Sequence, residues 1–143
     1  MAERPRDVAG RPVPPGSPSA VEPLPEQSLP PVETLELARS LLRSGRPFYA
    51  HDVLEARWKA APEPERDLWQ GLAQICVGLT HLQRGNVVGG ARLLRRGTGR
   101  LAGYSGPAYD LNLDRVAARA LDHADAAEGQ PDGPPAELRD VLG

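Results

Sequence analysis

The sequence predicts an all-α fold, a compact bundle of about five helices that follows a Pro-rich N-terminal tail. Apolar residues recur every three or four positions in successive stretches, and Gly or Pro residues separate those stretches. No stretch alternates apolar with polar residues as a half-buried strand would. The 143 residues suffice for one domain, whose neighbouring helices should run roughly antiparallel because their connections are short.

The predicted tail covers residues 1–31, where frequent prolines fix φ and remove backbone donors. Apolar side chains are sparse there and follow no period, so burial cannot offset the entropy of ordering. We therefore expect residues 1–31 to be disordered or polyproline-like. Residues 32–127 should form the helical domain, and residues 128–143 should form a C-terminal tail with at most one short helix.

The first two predicted helices are separated by a break at Gly45. Helical spacing of apolar residues begins near Val32, and Gly45 suits the left-handed position that follows a helix. Pro47 suits the first turn of a second helix, which should run to about Ala60 before Pro62 interrupts it.

The third predicted helix, at about 65–84, has the clearest apolar face. Gly71 and Gly78 lie two turns apart on one side of it. Glycine lowers helix propensity, but its missing side chain lets another helix approach closely. We therefore expect a close helix–helix contact along this side.

A fourth and a fifth helix complete the predicted bundle. Asn86 is a candidate N-cap for the fourth, at about 87–101, and either Asp110 or Asn112 caps the fifth. The intervening stretch, 103–110, contains glycine and proline and is predicted to be a loop.

Composition restricts the partners and the compartment. The net charge is −2 and the pI is about 5.9, so a nucleic acid is not an expected partner. Neither a signal sequence nor an apolar stretch of membrane-spanning length is found, which predicts a cytoplasmic protein without a membrane partner. Cys76 is the single cysteine, which excludes an internal disulfide and a cysteine zinc cluster.

The second helix carries the most unusual pattern, in the stretch FYAHDVLEARW. Phe48, His51, Glu55 and Trp58 follow one another at intervals of 3, 4 and 3 residues, which places them on one stripe of a helix. The Cβ atoms of His51 and Glu55 should lie about 5–6 Å apart, a spacing that suits a pair of metal ligands. Asp52 lies beside them, displaced by one residue around the helix.

A polar stripe on the third helix matches it. Gln70, Gln74, Val77 and His81 are spaced at intervals of 4, 3 and 4 residues. In an antiparallel hairpin, Trp58 should lie near Trp69 and Gln70. His51 and Glu55 should then lie near Gln74 and His81, in one cleft between the second and third helices.

Three blocks of the chain resemble the domain of unknown function 309 family, over residues 44 to 101. They are the hallmark His-x3-Glu-x2-Trp, here His51, Glu55 and Trp58, and the stretches ERDLWQGLAQ and HLQRGNVVGGARLL. The resemblance implies a small all-helical protein without an established activity, and a metal at the hallmark. The chain departs from the family pattern at Asp52, where Glu is common, and at Tyr49, where many members have an acidic residue.

Two main hypotheses follow for this cleft. In the first, His51, Glu55 and His81 bind a divalent metal such as zinc, iron or manganese, and Asp52, Trp58, Trp69, Gln70 and Gln74 line the cleft. In the second, the same side chains form a polar network without metal, in a protein-interaction or self-associating helical module. The sequence assigns no catalytic residue and leaves open whether the protein is an enzyme.

A third hypothesis concerns the fourth helix, where Arg92, Arg96 and Arg100 share one face. Such a row could hold phosphate or RNA. The acidic overall balance and the lack of interleaved aromatic residues argue against a nucleic-acid surface. A solvated outer face is therefore the favoured interpretation of this row.

Overall fold

The described part of the computed structural model comprises residues 5–21, 28–132 and 141–142, and the predicted all-α class is confirmed. The helices are α1 (Pro31–Arg43), α2 (Pro47–Ala60), α3 (Arg66–Gln83), α4 (Val87–Ala102) and α5 (Leu113–Gly129). A 3-10 turn, Glu63–Glu65, joins α2 to α3.

The helix ends follow the capping residues that the sequence contains. Gly45 and Gly85 adopt left-handed conformations, with φ of 72° and 84°, just after α1 and α3. The side chains of Asn86 and Asn112 each accept a hydrogen bond from a backbone N–H three residues later. Asn112, rather than Asp110, is therefore the N-cap of α5.

The helices pack in chain order, each against the next, and α3 lies between α2 and α4. The buried face of α3 includes Leu68, Leu72, Ile75 and Leu79, all fully buried. Burying a leucine or isoleucine side chain contributes roughly 1.5–3 kcal/mol. The inner face of α3 is thus a main source of stability for the bundle.

Glycines set the spacing between α3 and α4, as predicted for Gly71 and Gly78. A Cβ atom at Gly71 would lie 3.1 Å from the carbonyl oxygen of Gly97, and one at Gly78 would lie 2.9 Å from that of Gly90. These distances are shorter than ordinary van der Waals contact, so the two helix backbones approach at these glycines more closely than side chains would allow.

Part of the Pro-rich N-terminal stretch contacts the bundle. Residues 5–21 form turns and two isolated bridges rather than helix. The Tyr49 hydroxyl donates a hydrogen bond to the carbonyl oxygen of Asp7 at 2.9 Å, and the Arg84 guanidinium donates one to that of Ala9 at 2.6 Å. The sequence does not predict these contacts, because they use backbone oxygens, which every residue has.

Some predicted features concern residues outside the described part of the chain. Of residues 1–31, for which disorder is expected, 1–4 and 22–27 are not described, and a short C-terminal helix would fall mainly on 133–140, which are also not described. The predicted domain bounds therefore stay predictions. Among the described residues, no helix has the length and apolar character needed to cross a membrane.

Candidate functional site

The stripe predicted on α2 is half-buried along its whole length, and we call Phe48, His51, Glu55 and Trp58 the α2 stripe. The Arg84 guanidinium lies 5.6 Å from the ring centroid of Phe48, and that of Arg66 lies 5.4 Å from the ring of Trp58. Arg66 begins α3 and Arg84 follows its last residue, so α2 and α3 run antiparallel as predicted.

Glu55 lies between two basic groups of the same helix. Its carboxylate oxygens lie 2.7 Å from Nε2 of His51 and 3.1 Å from Nζ of Lys59, both at i,i+4 spacing. Partial burial raises the pKa of Glu55. The hydrogen bond from Lys59 and the nearby His51 lower the pKa by a larger amount, so it lies below its usual value. Glu55 is therefore held in its ionised form.

The second ring nitrogen of His51 is buried. Its Nδ1 lies 3.5 Å from a carboxylate oxygen of Asp52 and makes no hydrogen bond with the described residues. The imidazole of His51 also packs near Phe48, with ring centroids 5.8 Å apart. His51 is thus oriented by Glu55 on one side and by packing on the other, as a metal ligand or a proton-transfer residue would need to be.

A pocket of about 320 Å³ lies at the Trp58 end of the α2 stripe, and we call it the Trp58 pocket. Its lining is Trp58, Glu63, Arg66, Asp67 and Gln70. The structure thus brings together Trp58 and Gln70, two of the predicted cleft residues. The other three are not among the predicted cleft residues, although Arg66 and Asp67 lie four and three residues before Gln70 on the same face of α3 and could have been found from that spacing. Glu63 lies in the 3-10 turn before α3, where helical spacing gives no signal.

The remaining predicted cleft residues have contacts outside the Trp58 pocket, although Trp69 also lies near α2, with the Arg57 guanidinium 5.7 Å from its ring centroid. Trp69 is fully buried and stacks on Tyr109, with ring centroids 5.9 Å apart. The Gln74 side chain accepts a hydrogen bond of 3.3 Å from Arg100 of α4. His81 lies 3.0 Å from the Asn86 side-chain amide, just beyond α3.

Only part of the predicted ligand set is therefore brought together, namely His51 and Glu55 with Asp52 nearby. Across residues 5–21, 28–132 and 141–142, no three His, Cys, Asp or Glu side chains form a group that could hold a metal ion. Burial raises the pKa of the Cys76 thiol to about 12, so this thiol stays neutral and serves as core packing.

Comparison with known protein families finds a match over one segment of the chain. Residues 35–93 match the family model of the domain of unknown function (DUF309), from the first turns of α1 to the middle of α4. The predicted resemblance is thus confirmed for a segment that contains the whole α2 stripe and the Trp58 pocket. No curated protein and no solved structure matches the chain.

Proposed function

We propose that this domain is a helical binding module whose functional surface is the Trp58 pocket, supported from within α2 by the paired His51 and Glu55. One observation carries the proposal. Of the three residues in the hallmark, His51 and Glu55 contact each other at 2.7 Å, whereas Trp58 lines a pocket. The His51–Glu55 pair thus holds the side chains of this helix face in place, and Trp58 is available for contact with a ligand.

The chemistry of the pocket supports a polar ligand. Trp58 offers an aromatic ring and the Arg66 guanidinium lies over that ring. Glu63 and Asp67 supply negatively charged acceptors, and Gln70 supplies both a donor and an acceptor. Tryptophan and arginine are the residues that most often dominate binding energy at protein surfaces. A volume of about 320 Å³ suits a small polar molecule or a single side chain of a partner.

A divalent metal at His51 and Glu55 is the second candidate function. The observation in its favour is that an imidazole nitrogen and a carboxylate oxygen lie 2.7 Å apart with their side chains 19% and 36% exposed. An ion would have to separate this pair, displace Lys59 from Glu55 and recruit a further donor, for which Asp52 is the nearest. Zinc sites usually need at least three protein ligands.

A small-molecule fragment screen followed by two-dimensional NMR tests the first candidate. The two tryptophans give separate indole N–H resonances, of which Trp58 belongs to the pocket and Trp69 to the core. We expect polar fragments to shift the Trp58 resonance and leave that of Trp69 unchanged. The same fragments should fail to bind Trp58→Ala. Fragments that bind elsewhere and never affect Trp58 would refute the proposal.

Elemental analysis of protein purified without chelator tests the second candidate. Near-stoichiometric zinc, iron or manganese that is lost in His51→Ala but kept in His123→Ala would assign a metal to the α2 stripe. Under the first candidate, both variants carry no metal. His51→Ala then lowers the free energy of unfolding by about 1 kcal/mol, because Glu55 loses a hydrogen-bonding partner.

A further inference from the structure

A short stretch of the N-terminal segment folds into a turn beside the start of α2. The backbone N–H of Gly10 donates to the carbonyl oxygen of Asp7 at 3.0 Å, and that of Arg11 donates to the Asp7 carboxylate at 2.8 Å. The backbone N–H of Asp7 in turn donates to the carbonyl oxygen of Arg11 at 2.9 Å. Arg6 adds a hydrogen bond of 2.6 Å from its guanidinium to the carbonyl oxygen of Gly10. These bonds close residues 6–11 into what we call the N-terminal turn.

Gly10 is the point at which the N-terminal turn packs most closely on α2. It is buried, and its φ of 81° lies in the left-handed region that side chains rarely adopt. A Cβ atom at Gly10 would overlap the ring of Phe48. The Phe48 ring therefore lies directly against the backbone of the turn, in a space that only glycine leaves open.

A small surface of the bundle receives the N-terminal turn, and we call it the docking surface. It consists of Phe48 and Tyr49 at the start of α2 and Arg84 just after α3. The Tyr49 hydroxyl and the Arg84 guanidinium donate to carbonyl oxygens of the turn, at 2.9 and 2.6 Å. The Arg6 guanidinium lies 5.1 Å from the ring centroid of Phe48, within the range of a cation–π contact. An aromatic ring with two hydrogen-bond donors thus suits a tight turn that contains glycine.

The docking surface adjoins His51 of the α2 stripe. The Phe48 ring contacts the turn and also packs near the His51 imidazole, with ring centroids 5.8 Å apart. The His51 side chain is only 19% exposed, and its Nδ1 is buried without a hydrogen bond to the described residues. Release of the turn would remove the packing that holds the Phe48 ring and would open this end of the stripe to solvent.

The N-terminal turn is also less firmly anchored than the helices. Residues 5–21 contain turns and isolated bridges, whereas the helices share one apolar core. The turn lies outside the segment 35–93 that matches the family model, and the docking surface lies inside it. Segments with few buried apolar contacts open at a lower free energy than the core. The turn should therefore leave the bundle more readily than the helices unfold.

We propose that the N-terminal turn is a releasable cover of the α2 stripe. When it is docked, it holds Phe48 in place and limits access to His51. When it is released, the docking surface and His51 become accessible, so any partner that binds the turn changes the exposure of this site. The docking surface shares no residue with the Trp58 pocket, and the cover can therefore be tested independently of that pocket's function.

Hydrogen–deuterium exchange with mass spectrometry tests the docking of the N-terminal turn. Tyr49→Phe removes the hydroxyl that donates to Asp7. Tyr104→Phe is the matched control, because the Tyr104 hydroxyl donates to the carbonyl oxygen of Pro107 in its own loop. Amides in a peptic fragment that contains residues 5–13 should exchange about threefold faster or more in Tyr49→Phe and should be unchanged in Tyr104→Phe.

Chemical modification of the histidines by diethyl pyrocarbonate tests the covering of His51, with His123 of α5 as the internal reference. Gly10→Val places a side chain where the Phe48 ring lies and should release the turn. Gly16→Val is the matched control, since Gly16 has a similar φ of 79° but nothing within 4 Å of its Cβ position. His51 should react at least about threefold faster, relative to His123, in Gly10→Val and at the wild-type rate in Gly16→Val. Circular dichroism verifies that both variants keep their helices.

Three results would overturn the proposal. Exchange of the turn amides at the unprotected rate in the wild type would show that the turn is not docked. Protection that increases with protein concentration would place the turn of a second copy on the docking surface. An unchanged rate of His51 modification in Gly10→Val, with the turn amides fully exchanging, would show that the turn docks without covering His51.

Discussion

α3 contacts α4 through glycines and fully buried leucines, whereas α2, its other neighbour, carries a half-buried stripe of polar and aromatic side chains. On the α4 side, Gly71 lies against Gly97 and Gly78 against Gly90, with almost no space for another atom. On the α2 side, His51 and Glu55 are paired but partly exposed, and a pocket opens beside Trp58.

This difference separates the part of the molecule that fixes the fold from the part that is available for function. Adding or removing even one atom in a closely packed apolar interface lowers the free energy of unfolding considerably. A substitution in a partly solvated polar stripe lowers the free energy of unfolding only slightly, because water replaces the lost hydrogen bonds. Substitutions on the two sides of α3 should therefore have effects of very different size.

The largest loss of stability is expected for Leu94→Ala in α4. Leu94 is fully buried and packs directly against Gly78. Removing its side chain should lower the free energy of unfolding by about 2–5 kcal/mol, measured by urea denaturation. Val88→Ala on the same helix is the control, since Val88 is 71% exposed and should change stability by less than about 0.5 kcal/mol. Similar losses in both variants would contradict close packing of α3 on α4.

A smaller loss is expected for Gly78→Ala, where two effects oppose each other. The added Cβ would lie 2.9 Å from the Gly90 oxygen, and such overpacking costs about 1–3 kcal/mol. Alanine is also more favourable in a helix than glycine by about 1 kcal/mol, so the net loss should be at most about 2 kcal/mol. Gly99→Ala, with nothing within 4 Å of its Cβ position, should instead gain about 0.5–1 kcal/mol. A gain in the free energy of unfolding in both variants would show that α3 and α4 can move apart without cost.

The sequence predicts the close approach at α3 better than it predicts the cleft between α2 and α3. The reason is that residue spacing within one helix is a local property of the sequence. The positions of Gly71 and Gly78 indicate a close contact, although they do not identify Gly90 and Gly97 as the partners. The hallmark residues His51 and Glu55 are likewise correctly placed together, since four residues make about one helical turn.

Contacts between separate elements are harder to predict, because they depend on the rotation of each helix about its axis. The sequence places Gln74 in the α2–α3 cleft, but its side chain bonds to Arg100 of α4. A pocket between α1 and α5 combines residues such as Arg39 and Arg115 that lie some 70 positions apart, and no helical spacing connects them. The contact of Arg66 with Trp58 is not predicted for the same reason, since the two residues belong to different helices joined by a turn.

The smallest effect is expected for Glu55→Gln, and it should depend on pH. The folded-state pKa of Glu55 lies below its ordinary value of 4.5, so its stabilising contribution is present above that value and is lost as pH falls through the folded pKa. Since Glu55 is partly exposed, Glu55→Gln should lower the free energy of unfolding by only about 0.5 kcal/mol at neutral pH. The difference from wild type should shrink as pH falls below 4.5, in denaturation curves measured at several pH values. Glu36→Gln on α1 removes a carboxylate without an ion pair in the described chain and measures the general effect of losing one negative charge. If the Glu55→Gln difference stayed constant into strong acid, its pairing with His51 and Lys59 would contribute nothing to the stability of α2.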